Sequence, residues 1–317
     1  METAMSELET KSKSKVAHVF PGQGSQMVGM GYKLYQSSPK AREVFEEADE
    51  ALKLPLSKLC FEGPEEELRQ TINAQPAIMA VSVACLRASS ELNHQVKPAF
   101  VAGHSLGEYT ALVAANVLGF TDAIRLVRER GRLMQEAGEI KPGGMVAVIG
   151  LDEPVLRALC RESGAEIANY NCSGQIVLSG SKDVLARAME LAKSKGARRV
   201  IPLQVSGAFH STLMQPTVEG MAQAISQLNF NNPEIPIVVN STAQPVTTTS
   251  EVKEELLRQL CNCVQWQPSI EYMVNEGVAT FIEIGPGQVL SGLIKRISDK
   301  VHVLNMSDPD SIKAINL

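Results

Sequence analysis

The chain predicts an α/β fold: a mainly parallel sheet flanked by helices, interrupted by a small inserted α+β unit. Three observations carry this. Short β-type runs alternate with helical patterns over most of the length, the arrangement that parallel strands with helical crossovers require. Between about Gly144 and Pro202 the rhythm changes to strand, helix, strand, strand, helix, strand, the order of a split βαβ unit. The 317 residues, 44% hydrophobic and 4% aromatic, suffice for one sizeable core and a smaller second one, which excludes disordered, collagenous and mini-protein classes.

Taken in order, Met1 to Ser14 is polar, carries Lys11 and Lys13 with Lys15 directly after it, and reads as a flexible leader too poor in apolar residues for a signal peptide. Val16 to Phe20 is a strand that stops at the glycine-rich turn Pro21-Gly-Gln-Gly-Ser-Gln26. Helices are expected at about 40–50 and 76–90, the second with Pro76 in its first turn, where a missing N–H costs little. Ala99 to Ala102 is a strand leading into Gly103-His-Ser-Leu-Gly107. A helix over Glu108 to Leu118 follows, and then another, started by Gly119 and a Thr121 cap, that reaches about Ala137. The inserted unit enters through Lys141-Pro-Gly-Gly144 and runs through strands 145–149, 166–170, 175–178 and 198–201 with helices 153–162 and 182–195. The chain then returns to helices at 216–228, 251–260 and 268–275, strands at 235–240 and 279–284, and a helix after Gly285-Pro-Gly287.

Charge and cysteine usage narrow the class. Thirty Lys and Arg against 35 Asp and Glu give a net charge of -5 without long blocks of one sign, so no nucleic-acid footprint is present. No window of about 18 consecutive apolar residues occurs, which argues against a membrane span. A chain of this length needs no disulfide staples, so cysteines 60, 85, 160, 172, 261 and 263 read as reduced, cytoplasmic thiols. Cys261 and Cys263 lack the partners that a zinc site needs nearby in sequence.

The chemistry begins at Gly103-x-Ser105-x-Gly107, which lies after a strand and before a helix. That context turns a loose pattern into a nucleophile elbow, with Ser105 near the free N–H groups of a helix start. The Leu106 amide and an amide of the Gln23 loop are the candidate oxyanion donors. A serine needs a base, and there are five histidines. His18 lies in a strand, His94 in a polar connection, His302 near the C-terminal end, and His104 beside the nucleophile but pointing elsewhere. His210, in the turn Ser206-Gly-Ala-Phe-His-Ser211, is the preferred base and His302 the next. Asp152 and Asp183 fall between Ser105 and His210, but both stand at helix starts where capping or the helix dipole explains them. A Ser–His dyad oriented by a backbone carbonyl is therefore expected. Arg130, on the helix after the elbow helix, can clamp a carboxylate through two parallel bonds; a solvated helix face is the competing reading.

Together the segments Phe20-Pro-Gly-Gln-Gly-Ser-Gln26, Gly103-His-Ser-Leu-Gly-Glu108, Arg130-Gly-x-Leu-Met-Gln135, Gly207-Ala-Phe-His-Ser211 and Glu283-Ile-Gly-Pro-Gly287 resemble the malonyl-CoA:acyl carrier protein transacylases of discrete fatty acid synthesis. The likeness runs from about Val16 to the C-terminus. It implies a hydrolase-like large domain at 15–140 and 206–317 and a ferredoxin-like small domain at 141–205. It implies that Ser105 is malonylated, His210 is the base, Arg130 holds the malonyl carboxylate, and the Gln23 and Leu106 amides form the oxyanion hole. Gln259 matches the residue whose main-chain carbonyl supports the histidine; Asn169, Gln75 and His104 match polar positions of the cleft. Gly207-Ala-Phe-His210 resembles the malonyl-selective form of its loop. Asn171-Cys-Ser-Gly174 departs from the family, where serine and proline are expected between the asparagine and glycine.

The resemblance also implies malonyl-CoA as donor, no permanently bound cofactor or metal, and a transient acidic partner, acyl carrier protein, whose phosphopantetheine thiol accepts the acyl group. A monomer is expected. The competing classes are a serine thioesterase or lipase-like hydrolase, an acyltransferase serving polyketide assembly, and an inert scaffold.

Overall fold

The computed structural model describes residues 15–91 and 97–315; the expected leader at 1–14 and His94 lie outside them. The chain opens with β1 (Lys15–Phe20), passes through helices α1 (Tyr32–Ser37), α2 (Pro39–Leu52), α3 (Leu56–Glu62), α4 (Glu65–Arg69) and α5 (Thr71–Glu91), and continues with β2 (Phe100–Gly103), α6 (Leu106–Ala114) and α7 (Phe120–Ile140). A second unit follows as β3 (Gly143–Ile149), α8 (Glu153–Ser163), β4 (Glu166–Cys172), β5 (Gln175–Ser181), α9 (Lys182–Ser194) and β6 (Arg199–Pro202). The return comprises α10 (Thr217–Ser226), β7 (Ile237–Val238), β8 (Pro245–Val246), α11 (Thr249–Cys261), α12 (Trp266–Asn275), β9 (Val278–Ile284), α13 (Val289–Ile297), β10 (His302–Met306) and α14 (Pro309–Lys313).

The large sheet has the order β10-β9-β1-β2-β7-β8. Its pairs are parallel except β7 with β8. Central β1 and β2 alternate apolar side chains between two cores: Val16, Phe20 and Val101 pack on the α5 and α7 side, and Ala17, Val19, Phe100 and Ala102 on the side of Trp266 and Ile270. Burial on both faces is why these strands read as near-continuous apolar runs. The small sheet is antiparallel, with the order β4-β5-β3-β6, the ferredoxin-like arrangement. Along β3, Val146 and Val148 face Leu156, Leu159 and Leu185 of α8 and α9, whereas Met145 and Ala147 belong to the main core. The period-2 alternation thus lays the small sheet directly against the large domain.

Several elements differ from the sequence reading. Helix α5 starts at Thr71, so Pro76 lies inside it rather than in its first turn. The Ile72 carbonyl that Pro76 cannot serve takes a hydrogen bond from Arg128 Nη1 at 2.8 Å instead, which removes part of the penalty for an interior proline. Helix α6 begins at Leu106 and ends at Ala114, short of Leu118; Asn116 adopts a left-handed φ of 57° and the Val117 N–H closes the end on the Leu112 carbonyl. Gly119, not Thr121, caps α7, and the Thr121 hydroxyl donates to Glu47 Oε1. The strand expected at 235–240 shrinks to two residues, and β8, β10 and α14 have no sequence counterpart in the reading above. No helix of the described residues is long and apolar enough to cross a membrane.

Candidate active site

The elbow is built by backbone touching backbone. A Cβ on Gly103 would stand 1.9 Å from the Gly107 carbonyl carbon, and one on Gly107 would stand 2.0 Å from the Phe20 oxygen. Only glycine permits the end of β1, the end of β2 and the first turn of α6 to meet this closely. Ser105 sits at the crest with φ 52° and ψ -106°, a conformation rare for a residue with a side chain. The turn puts Leu106 at the first position of α6. Among the described residues neither the Leu106 N–H nor the Gln23 N–H meets a main-chain or side-chain acceptor, so both remain available to a ligand oxygen.

Ser105 Oγ lies 2.8 Å from His210 Nε2 and 3.2 Å from Arg130 Nη2. His210 Nδ1 lies 2.9 Å from the main-chain oxygen of Gln259. A carbonyl only accepts, so Nδ1 carries the proton and Nε2 is left to accept from the serine hydroxyl. Burial, reinforced by the Arg130 charge, lowers the His210 pKa to about 3. At neutral pH the imidazole is therefore a neutral base. Among the described residues no carboxylate hydrogen-bonds to it: Asp152 and Asp183 stand at the N-termini of α8 and α9, and the arrangement is a dyad on a backbone carbonyl.

Arg130 is fully buried. Its Nη1 donates to Gln75 Oε1 at 2.7 Å, its Nη2 donates to Gln259 Oε1 at 2.8 Å, and its guanidinium stacks 5.1 Å from the Tyr109 ring centroid. Burial lowers the arginine pKa and, despite the nearby cation, raises that of Tyr109 to about 12. Two neutral amide oxygens thus occupy the terminal donors, which a carboxylate can replace with stronger, charge-assisted bonds. The solvated-face reading of this arginine is thereby corrected: the apolar side of α7 faces α5, and Arg130 is carried inward with it.

The remaining predicted residues also converge. Gln23, Gln75, His104, Leu106 and Asn169 line, with the dyad and Arg130, a cavity of about 80 Å³. A larger cavity of about 360 Å³ shares Gln23, Leu203 and Val205 with it and leads outward. His104 turns away from Ser105 and pairs its Nε2 with Asn171 Oδ1 at 2.9 Å; burial lowers its pKa. Cys172, where the family serine was expected, is buried in the core cluster that holds Trp266, and Ser173, where proline was expected, is exposed in the turn between β4 and β5. His18 is interior to β1 and His302 opens β10; neither approaches the dyad. All six cysteines are free, with Cys261 Sγ near Gln215 and Cys263 Sγ near the Val264 carbonyl.

Two features escaped the sequence reading. The Gln259 side chain does as much as its carbonyl: Nε2 donates to the Ser105 carbonyl at 3.0 Å while Oε1 holds Arg130. Asn240, in the loop after β7, reaches the elbow from the strand next to β2. No local motif marks either one, because each acts through a contact more than 100 residues away in sequence.

A serine at a strand-to-helix elbow paired with a buried histidine, with two free amides and a guanidinium beside it, defines a serine acyl-transfer site. The profile of the acyl transferase domain matches residues 17–311, and the chain belongs to that family. Within it, the chain is 46% identical over 305 residues to the malonyl CoA-acyl carrier protein transacylase of Bacillus subtilis strain 168, covering 95% of this chain and 96% of that one. It is 42% identical to the enzyme of the same name from Escherichia coli K12, at 95% and 98% coverage. A crystal structure of an acyl carrier protein S-malonyltransferase from Vibrio cholerae superposes with a TM-score of 0.92 at 42% identity, covering 96% and 100%. A malonyl-transacylase in complex with its type II PKS acyl-carrier protein superposes equally well, at 0.92, with 40% identity and 95% and 98% coverage.

Proposed function

We propose that this protein transfers the malonyl group of malonyl-CoA to the phosphopantetheine thiol of acyl carrier protein through malonyl-Ser105, supplying fatty acid synthesis. The observation that carries the reading is the position of Ser105 Oγ, within hydrogen-bond reach of a base that is neutral and a cation that is buried.

The first half-reaction starts as His210 Nε2 takes the Ser105 proton and Oγ attacks the thioester carbonyl. The Leu106 and Gln23 amides hold the tetrahedral oxyanion, and Gln259, through its carbonyl, holds the imidazolium. Collapse expels the CoA sulfur, which receives the proton from His210. In the second half the carrier thiol gives its proton to His210 and attacks the ester, and Ser105 recovers the proton as it leaves. The malonyl carboxylate takes the Arg130 donors in place of the Gln75 and Gln259 oxygens, which fixes the acyl group and leaves little room for an attacking water. The 360 Å³ outer cavity suits the pantetheine arm.

The same reading treats residues 15–140 and 206–317 as the catalytic domain and 141–205 as the small domain that closes the cleft. It makes the protein a cytoplasmic monomer that meets its carrier transiently and needs no resident cofactor. Asn169 and His104 shape the wall of the cleft without touching the reacting atoms.

Labelled malonyl-CoA followed by peptide mass mapping is expected to place one malonyl group on Ser105 and none on the Ser105→Ala variant. A stoichiometric adduct elsewhere rejects the reading. Malonate release outpacing malonyl-carrier formation would make the protein a thioesterase. Because a structural relative works with a type II PKS carrier, a transfer assay should include carriers of both kinds; fatty-acid carriers are expected to react faster.

A further inference from the structure

Asn240 lies in the loop after β7, outside every motif of the site, and is almost fully buried. All four of its hydrogen-bonding groups are engaged. Its side-chain Oδ1 accepts from the Ser105 N–H at 2.7 Å, and its Nδ2 donates to the Gly103 carbonyl at 2.6 Å. Its main-chain N–H donates to Glu108 Oε2 at 2.7 Å, and its carbonyl accepts from the Gln265 N–H at 2.8 Å. One amide group therefore bridges the two residues that flank His104, and the backbone of the same residue is tied to the first turn of α6.

We propose that Asn240 is the positioning residue of the nucleophile elbow, holding Ser105 in its strained backbone conformation so that Oγ faces His210 and the Leu106 N–H faces the oxyanion. The inference rests on Ser105 being the acylated nucleophile. A φ of 52° with ψ of -106° costs on the order of 1–3 kcal/mol and persists only where surrounding contacts over-determine it. The Asn240 amide supplies two of those contacts at the strained residue itself. It also occupies the Ser105 N–H, which leaves the following Leu106 N–H as the donor at the crest. The geometry demands a short planar group with a donor on one side and an acceptor on the other, which among side chains of this length only asparagine provides. Serine and alanine lack one or both; glutamine is longer by a methylene and cannot keep both contacts from the same backbone position.

Aspartate at this position makes the requirement visible. Its carboxylate can accept from the Ser105 N–H, but its second oxygen would face the Gly103 carbonyl and can bond to it only when protonated. Glu108 of α6 and Glu255 of α11, which holds Ser241 through its carboxylate, oppose ionisation of the new acid wherever they are themselves ionised, burial having raised the pKa of both, while Arg130 of α7 favours it. His104 and His210, whose pKa values burial lowers, are the other titratable neighbours across the elbow. The carboxyl oxygen forced against a carbonyl places the balance on the side of a raised pKa.

The test measures the rate at which Ser105 is labelled by a fluorophosphonate probe, and separately by malonyl-CoA, in the wild type, Asn240→Ala and Asn240→Asp between pH 5.5 and 8.0, with thermal midpoints of each. For Asn240→Ala the expected loss in labelling rate is about 30- to 150-fold with either reagent, two buried hydrogen bonds to the strained turn being gone, with the KM for malonyl-CoA within about threefold. The Asn240→Asp rate, divided by that of the wild type, is expected to rise about tenfold or more from pH 8.0 to 5.5 as the acid gains its proton. If Asn240→Ala does not fold, the Asn240→Asp ratio decides alone. A flat ratio across the range, or labelling within threefold of wild type in both variants, overturns the proposal. A wild type that reacts with the phosphonate and not with malonyl-CoA rejects the malonyl reading instead, and the phosphonate series still decides Asn240.

Discussion

His210 and Arg130 illustrate how one environment sets two charges in opposite ways. Both are stripped of water, which favours neutral forms; the histidine yields, its pKa lowered to about 3, while the guanidinium remains cationic because its ordinary pKa lies so high. The active base is the neutral imidazole. The acylation rate as kcat/KM is therefore expected to show no His-like loss between pH 8 and 5, because the proton that would silence Nε2 binds only well below the usual histidine range. An acid limb with an apparent pKa near 6.5 contradicts this. At Arg130, replacement by alanine is expected to lower malonyl transfer on the order of 100-fold relative to acetyl transfer, the loss of two charge-assisted bonds to a carboxylate that acetate lacks. Reading the effect as a malonyl-to-acetyl ratio within one variant cancels any general loss from the Gln75 and Gln259 oxygens left unpaired. Equal losses for both donors reject the clamp.

The decisive device among the elements is the crossing of β1, β2 and α6. Phe20, Gly103 and Gly107 pack so closely that a single added methyl has no space: its contact would be the Phe20 carbonyl at 2.0 Å. Gly107→Ala is therefore expected to cost more than about 4 kcal/mol or to prevent folding, read by denaturant titration, since backbone atoms cannot rotate away as a side chain would. By contrast, α11 is capped by a reciprocal pair, the Thr248 hydroxyl and the Glu251 carboxylate, at the end remote from Gln259. Thr248→Ala is expected to lower stability by about 1 kcal/mol while leaving the acylation rate within about threefold, because Gln259 is held by packing and by three contacts of its own. Interior Pro76 belongs to the same scale. A sequence rule that places proline at a helix start fails where Arg128, from another helix, serves the orphaned carbonyl.

Across the whole molecule the buried histidines link stability to pH. His18 is lowered to about 4 and His210 to about 3, in both cases chiefly by burial. The unfolded chain takes up these protons below about pH 6.5, whereas the folded chain does not, so the stability they contribute is present above pH 6.5 and is lost as pH falls toward 4. Glu108, Glu255 and Glu283 act in the other direction, since burial raises all three and the folded state is penalised as pH rises through their range. The His18 share is isolated by difference: the melting temperature of His18→Leu minus that of wild type is expected to increase on going from pH 7 to pH 5. A difference that stays constant or falls rules this out. His18 Nε2 has no hydrogen-bond partner among the described residues, so the substitution removes an uncompensated polar atom as well as a proton site.

Much of the protein was legible in the residue order. The strand, turn and helix around Ser105, the split βαβ rhythm from β3 to β6 and the single well-placed histidine at 210 are local patterns, and local patterns are written contiguously. The sequence by itself determined the kind of chemistry, because a nucleophile elbow needs its glycines and serine at fixed spacing whatever surrounds them. Only the tertiary structure decided that Arg130 points inward, that Gln259 holds serine, histidine and arginine at once, and that Asn240 grips the elbow. Those roles depend on donors and acceptors separated by 49 to 154 residues of chain, and hydrogen-bond geometry of that kind exists only after the sheet and helices have packed.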